Sequence, residues 1–348
     1  MLDSTSLKKA ALFTLFLVIA FVVSWEVYLR NSGNDHAFDD GGPLWSHHRS
    51  MVYEPMDEST IFIGSSRIKF DLDHDTWQSV TGDNQVQLSC VGSTPLPVLY
   101  DLADDPDFKG KLIIDVTEPL FFSPAPFASA SPKKYVQYYH DITPTQRASF
   151  WINKPVENTF VFLDKDNYSI NALLDKLQIK SRPGVFMFPI FPRDFERNRF
   201  DRQCYMKPEF VADTNQHNQV RAIWGILVMG DKTPPITGAP LDSLLETVKA
   251  ATDKIKARGG KIVFVRTPSS GPFLTGEQMV FPREKYWDRL LAFTGTKGIH
   301  FMDDPATDHY ICPEFSHLTP ADAVDYTKHL IRTLQTDHNW QFPDMNKM

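Results

Sequence analysis

Two short stretches supply the hydroxyl, imidazole and carboxylate groups that acyl-transfer chemistry needs. Gly64-Ser65-Ser66-Arg67 follows an apolar run, and Glu314-Phe315-Ser316-His317 comes just before the final helical pattern. A serine hydroxyl is a weak nucleophile until a base takes its proton. Ser66 is the candidate nucleophile and His317 the candidate base. Glu314, three residues before His317, could accept the other imidazole N–H, fix the tautomer and stabilise the imidazolium. Each fragment alone has an ordinary reading, since serine is favoured at helix N-caps and most lone histidines are structural. Their joint placement carries the functional reading.

Positioning these groups requires a scaffold, and the chain alternates short β-rich runs with helical patterns. Candidate strands are Thr60–Gly64, Gln85–Cys90, Lys111–Val116, Lys261–Val265 and Ile299–Met302. Runs this short and apolar suit parallel strands buried on both faces. Leu241–Arg258 reads as an amphipathic helix stopped by Gly259-Gly260, and Pro282 opens a further helix ending near Gly295. The last helix begins at Thr319, a capping side chain, followed by Pro320 and Asp322. The pattern predicts an α/β fold: a doubly wound, flavodoxin-like, five-stranded parallel sheet with its functional loops at the carboxyl ends of the strands.

Residues 121–240 break this rhythm. The stretch is dense in Pro, aromatic residues and Arg, as in Phe186–Arg193, and reads as a large insertion after the third strand. It is either a cap over the site or an ornament that completes the core. Within it, Arg193, Arg197, Arg199 and Arg202 alternate with Asp194, Glu196 and Asp201, which suggests a solvated charged face. Arg266, in Arg266–Gly271 after the fourth strand, and Arg67 could bind an anionic group of a substrate. A salt bridge to one of the many acidic residues is the competing explanation for Arg266. Asp303 and Asp304 after the fifth strand are alternative partners for His317.

These motifs resemble the SGNH (GDSL-like) hydrolase superfamily over about residues 58–120 and 260–335. By match, Ser66 takes the nucleophile position, with Ser65 standing where the family has aspartate. Gly92, in Cys90–Pro95, matches the second block and would serve as an oxyanion-hole backbone donor beside the N–H of Ser66. Glu314 and His317 match the final block, with glutamate substituted for aspartate. The third block departs: where the family has Gly-x-Asn-Asp, this chain has Asp115-Val116-Thr117-Glu118-Pro119. Thr117 is the residue left to donate there, and an ionised Glu118 cannot. Loss of one oxyanion donor typically costs roughly 3–4 kcal/mol of transition-state stabilisation. Asn153, Asn158 and Arg67 are candidate substitutes.

Lys8-Lys9 precedes an uncharged run from Ala10 to Trp25, extended past Glu26 to Leu29. At about 1.5 Å per residue, Ala10–Leu29 could cross a hydrocarbon core of roughly 30 Å, with Trp25, Glu26 and Tyr28 at the far interface. No small-x-small cleavage site follows, so a signal-anchor is expected rather than a cleaved leader. The lysines would stay cytoplasmic and the main domain would be extracytoplasmic, at the periplasm or cell surface. The expected organisation is an anchor over 1–30, a tether over 31–57 and one α/β domain over 58–340.

With 42% hydrophobic and 23% charged residues the chain is globular rather than disordered. A net charge of −7 provides no field to attract nucleic acid. Three cysteines, Cys90, Cys204 and Cys312, match no disulfide framework or zinc spacing, although an oxidising compartment would permit one pair. No cofactor or metal is expected; a site built from Asp308, His309, Glu314 and His317 is the metal alternative. The leading expectation is a membrane-anchored serine esterase or O-acyltransferase acting on acyl groups, O-acetyl above all, of cell-envelope or secreted glycans. The alternative is a catalytically silent SGNH-like protein that binds polysaccharide or assembles with a membrane-embedded acyltransferase.

Overall fold

Alternation along the apolar runs decides the architecture. In the computed structural model, which describes residues 4–53, 58–175, 177, 182, 184, 189–230 and 233–343, the first three runs form β1 (Ser59–Ile63), β2 (Asn84–Gln87) and β3 (Lys111–Asp115). A separate antiparallel ribbon follows, β4 (Arg197–Asn198) with β5 (Cys204–Tyr205), and then β6 (Lys261–Arg266) and β7 (Gly298–His300). Five strands make one parallel sheet in the order β2-β1-β3-β6-β7.

Both faces of this sheet are covered. Ile61, Ile63, Leu112, Ile114 and Phe264 pack on one side with the helices Leu96–Asp104, Ala239–Ala257 and Trp287–Thr294. The intervening Phe62, Ile113, Val263 and Val265 pack on the other with Ser66–Asp71, His74–Thr81 and Pro320–Thr336. A period-two pattern apolar on both phases gives a strand no wet face, which is why the runs contain so few polar residues. Strand order reverses between β1 and β3, which makes their carboxyl ends the switch point of the sheet. That is where the Ser66 turn and the Asp115–Glu118 segment emerge.

Two compact units divide the chain: Asp40–Thr143 with Pro189–Met348, and Met1–Asp39 with Pro144–Phe188. The boundary differs from the expected single domain over 58–340, because residues 189–240 belong to the sheet unit while 144–188 group with the N-terminal segment. Of the aromatic run Phe186–Arg193, residues 186–188 lie outside the described residues. The expected tether over 31–57 is also corrected. Gly42–Ser50 is a helix whose Leu44, Trp45 and Arg49 are buried in the sheet unit. The Trp45 indole N–H donates to the Leu88 carbonyl at 2.9 Å, and Arg49 pairs with Asp101 at 2.7 Å and Asp105 at 2.8 Å. Gly and Asp in the flanks suggested a linker, but the amphipathic cluster Leu44-Trp45 found a core to join.

The charged stretch after residue 193 is not a solvated face either. Arg202 is fully buried; it pairs with Asp40 at 2.5 Å and donates to the carbonyls of Gln87 at 2.5 Å and Ser89 at 3.0 Å. Asp40 also accepts from buried Lys69. Burial works to raise the Asp40 carboxyl, but the two cations outweigh it and hold the group well below the ordinary carboxylate range. Arg197 is buried as well, and Arg199 pairs with Asp75 at 2.6 Å. Cys90, Cys204 and Cys312 are all buried and unbridged.

In the other unit, Ser4–Asn31 is one continuous helix of 28 residues, with a mean hydropathy of 2.3 over its most apolar window. By length and composition it is sufficient to cross a membrane.

Candidate functional site

Ser66 is the first residue of the helix Ser66–Asp71, entered directly from β1. Ser65 caps that helix, its hydroxyl accepting from the Arg67 N–H at 3.2 Å. The turn is held from below by Asp115 at the end of β3. Its carboxylate accepts from the Ser65 backbone N–H at 3.2 Å, the Ser65 hydroxyl at 3.0 Å, Thr117 at 3.0 Å and Thr267 at 2.9 Å. Such close approach is available because residue 64 is glycine: a Cβ there would lie 2.5 Å from the Asp115 Cβ and 2.8 Å from Ile68. Gly64→Ala should therefore lose about 1–3 kcal/mol of stability and displace Ser66. Thermal unfolding and turnover of the same variant check this; unchanged values of both would refute it.

His317 lies opposite. Its Nε2 is 2.8 Å from Ser66 Oγ, and its Nδ1 is 2.9 Å from Glu314 Oε1. The same carboxylate oxygen accepts the backbone N–H groups of His317 at 2.6 Å and Ser316 at 3.3 Å. The second oxygen accepts the Trp224 indole N–H at 2.5 Å. Burial works to raise the Glu314 carboxyl, yet the adjacent imidazole and these N–H donors outweigh it and leave it below the ordinary carboxylate range. An ionised Glu314 accepts a proton-bearing Nδ1, which leaves Nε2 with a lone pair for the Ser66 O–H. Glu314 and His317 are buried, whereas Ser66 is only partly so. The relay thus meets solvent at its hydroxyl end.

Two further links fix the histidine loop to the serine helix, and two contacts elsewhere hold its shape. Arg67 Nε donates to Ser316 Oγ at 3.2 Å, and the Leu318 N–H donates to Asp71 Oδ1 at 2.9 Å. Phe315, between the acid and the base, has φ of 80°, a left-handed conformation unusual for a bulky side chain. Its ring lies under the Arg221 guanidinium at 4.4 Å, and its carbonyl accepts the Ser270 N–H at 3.0 Å. Local strain of roughly 1–3 kcal/mol is thereby held by tertiary contacts.

An aromatic wall surrounds the imidazole. Ring centroids of Phe70, Phe195 and Trp224 lie 4.4, 5.8 and 6.2 Å from that of His317. Phe195 and Trp224 come from residues 189–240, so this part of the irregular stretch is built around the histidine. Trp224 was missed in the sequence because nothing about a helical tryptophan ninety residues upstream singles it out. Asp115 was visible only as a departure from a family pattern.

The remaining expected residues fall elsewhere. Arg67 and Arg266 are not presented to a ligand in this structure: both are buried in a four-member ion network. Arg266 pairs with Glu118 at 2.9 Å and Glu277 at 2.5 Å, and Arg67 pairs with the other Glu277 oxygen. The placement matches the ion-pair explanation, since burying an arginine demands a nearby carboxylate. The Thr117 hydroxyl lies 2.7 Å from Ser65 Oγ and donates toward Asp115, on the supporting side of the turn. Gly92 occupies an exposed turn after β2 with φ of 60° and open space about its Cα. Asn153 and Asn158 belong to the other compact unit. Asp303 pairs with Arg283 rather than with His317. The His309 ring lies tilted beside Tyr310, 4.7 Å between centroids, and among the described residues no three His, Cys, Asp or Glu side chains gather as a metal site requires.

Glu277 is the key to the ion network. Burial works to raise it, but Arg67, Arg266 and the Ser269 hydroxyl hold it down at about 2. Glu118, with one arginine and the Glu277 charge beside it, is pushed up by burial instead. Glu277→Gln should cost about 3–5 kcal/mol, because it leaves two buried guanidiniums undercompensated. A depressed folded value means the stabilisation is complete above the unfolded value of 4.5 and is lost as pH falls toward 2. The gap in melting temperature between wild type and Glu277→Gln should therefore narrow across that window; a pH-independent gap would contradict the assignment.

No protein-family model matches this chain, and no curated protein matches it significantly.

Proposed function

We propose that the chain is a membrane-anchored, extracytoplasmic serine esterase or O-acyltransferase of the SGNH type. Its substrates would be acyl groups, O-acetyl above all, on cell-envelope or secreted glycans. The observation that carries the reading is the hydrogen-bonded relay Ser66–His317–Glu314, with heavy-atom distances of 2.8 and 2.9 Å. Ser66 Oγ attacks the acyl carbonyl while His317 Nε2 takes its proton, and Glu314 stabilises the imidazolium. Collapse of the tetrahedral intermediate expels the sugar alkoxide, which takes that proton from His317. The acyl-enzyme then passes its acyl group to water or to a second hydroxyl, with His317 again acting as base.

The order β2-β1-β3-β6-β7, with Ser66 after β1 and His317 before the last helix, supports reading residues 121–240 as material inserted into a flavodoxin-like sheet. The glycan assignment rests on the SGNH resemblance of the motifs, and the anchor on the 28-residue apolar helix with Lys8 and Lys9 at its start. One observation favours the alternative of a silent SGNH-like protein that binds polysaccharide or partners a membrane acyltransferase. The Thr117 hydroxyl is turned to Ser65 and Asp115, so the third-block position offers no free side-chain donor for an oxyanion.

Fluorophosphonate labelling of the full chain in detergent, followed by intact mass, separates the two. The enzyme reading expects one adduct on Ser66 and release of acetate from acetylated glycans. A folded protein that takes no adduct and turns over neither aryl acetates nor acetylated glycans would leave the silent reading in its place.

A further inference from the structure

The unit formed by Met1–Asp39 and Pro144–Phe188 carries two helical stripes of exposed apolar side chains. On the helix Pro144–Glu157, Ala148, Trp151, Ile152, Pro155 and Val156 recur at intervals of three and four, and all are exposed. Gln146, Phe150, Asn153 and Glu157 occupy the opposite face, where Phe150 and Glu157 are half-buried while the apolar stripe is exposed. On the helix Ile170–Asp175, Ile170, Leu173 and Leu174 repeat the spacing, with 76%, 46% and 47% of their surfaces exposed. Helices with this division are built to lie at a boundary between water and an apolar phase.

What that phase is follows from where the segment is tied. Near the end of the apolar helix, Glu26 accepts the backbone N–H groups of Val161 at 3.0 Å and Phe162 at 3.4 Å. One turn later, Arg30 donates to the Thr159 carbonyl at 2.7 Å and to Glu26 at 2.7 Å. The link between the two striped helices is therefore fastened to the turn at which the apolar run ends. If Ala10–Leu29 crosses a bilayer, residues 159–162 are held at its headgroup level, and the stripes on either side cannot be far from lipid. Trp151 is the residue type that membrane interfaces favour, and Lys154 lies 5.0 Å above its ring.

We propose that the helices Pro144–Glu157 and Ile170–Asp175 form a second membrane contact, an interfacial platform whose Trp151, Ile152, Val156, Ile170, Leu173 and Leu174 enter the headgroup–acyl boundary of the bilayer that the N-terminal helix spans. It rests on the anchored reading of that helix. The platform would make the unit a collar with area on the membrane, not a single thread through it.

The test places single cysteines for an environment-sensitive fluorophore in the full chain, after replacing the three buried native cysteines by Ala. The exposed positions Ile152, Ile170 and Leu173 are labelled in turn, with Phe16 in the spanning helix as the in-bilayer reference. Each protein is reconstituted in phosphatidylcholine nanodiscs with bromines placed shallow or deep along the acyl chain. The dye coupled to glutathione supplies the emission in water. A platform gives blue-shifted emission at residues 152, 170 and 173, quenched most by shallow bromines, while Phe16→Cys is quenched most by deep ones. Water-like, unquenched emission at the three sites beside a quenched Phe16→Cys overturns the platform alone. A blue shift without bromine quenching also overturns it, because a protein surface would then cover the stripes. An unquenched Phe16→Cys overturns the anchored reading itself.

Discussion

Ser66→Ala is expected to lower kcat toward acyl esters by on the order of 10⁶-fold and to abolish fluorophosphonate labelling, as removal of a relay nucleophile does. His317→Ala should fall as far, and the double variant no further, because in the proposed reaction the two groups perform one proton transfer together. The geometry gives the reason: among the described residues, the base within reach of the Ser66 hydroxyl is His317 Nε2 at 2.8 Å. KM should move little for Ser66→Ala, which removes one partly exposed oxygen and leaves the surrounding side chains in place. Stability should move little for Ser66→Ala, which is partly exposed, and more for His317→Ala, which empties a slot among Phe70, Phe195 and Trp224. Steady-state kinetics with an aryl acetate decides it. Single variants that retain a tenth of wild-type activity would mean that another residue attacks.

Glu314→Gln should cost about 10⁴-fold in kcat, close to what loss of the acid's charge and tautomer control costs in a relay of this kind. In wild type both carboxylate oxygens only accept: one from His317 and two backbone N–H groups, the other from Trp224 at 2.5 Å. A glutamine must turn its NH₂ to one side or the other. Facing Trp224 it sets donor against donor; facing His317 it selects the tautomer with the proton on Nε2, which cannot accept from Ser66. Adding Trp224→Phe removes the first conflict and lets the amide oxygen face His317. The pair should therefore recover part of the activity that Glu314→Gln lost, although Trp224→Phe alone lowers it. Strict additivity of the two changes would show that Trp224 does not set the orientation of residue 314. Because the Glu314 carboxyl lies below the ordinary carboxylate range, its stabilising charge persists as pH falls through that range and is lost only below it.

Local rules made much of the scaffold readable. Apolar residues on both phases of a period-two pattern leave a strand no exposed face, so the runs at Ile61, Leu112 and Val263 had to be central strands. Thr319, Pro320 and Asp322 specify a helix start by chemistry confined to four residues, and the cap is formed as those residues imply, with the Asp322 N–H donating to Thr319 at 3.2 Å. Lys8, Lys9 and the run to Leu29 likewise define an apolar helix without reference to anything else in the chain. Ser66 and His317 were visible because one follows a strand directly and the other lies just before the capped start of the last helix.

Tertiary structure decided everything that depends on partners distant in sequence. Glu277 shows no signal in its own neighbourhood, yet it compensates Arg67, 210 residues away, and Arg266, 11 residues away. Those two arginines read as ligand-binding groups in sequence, because a charge looks exposed until its burial partner is known. Asp40 and Arg202, 162 residues apart, turned a Gly- and Asp-rich linker and a basic stretch into two halves of one buried ion pair. Trp224 reaches Glu314 across 90 residues. Sequence carries the backbone's local preferences directly, whereas the pairing of buried charges is set by which distant elements fold against each other.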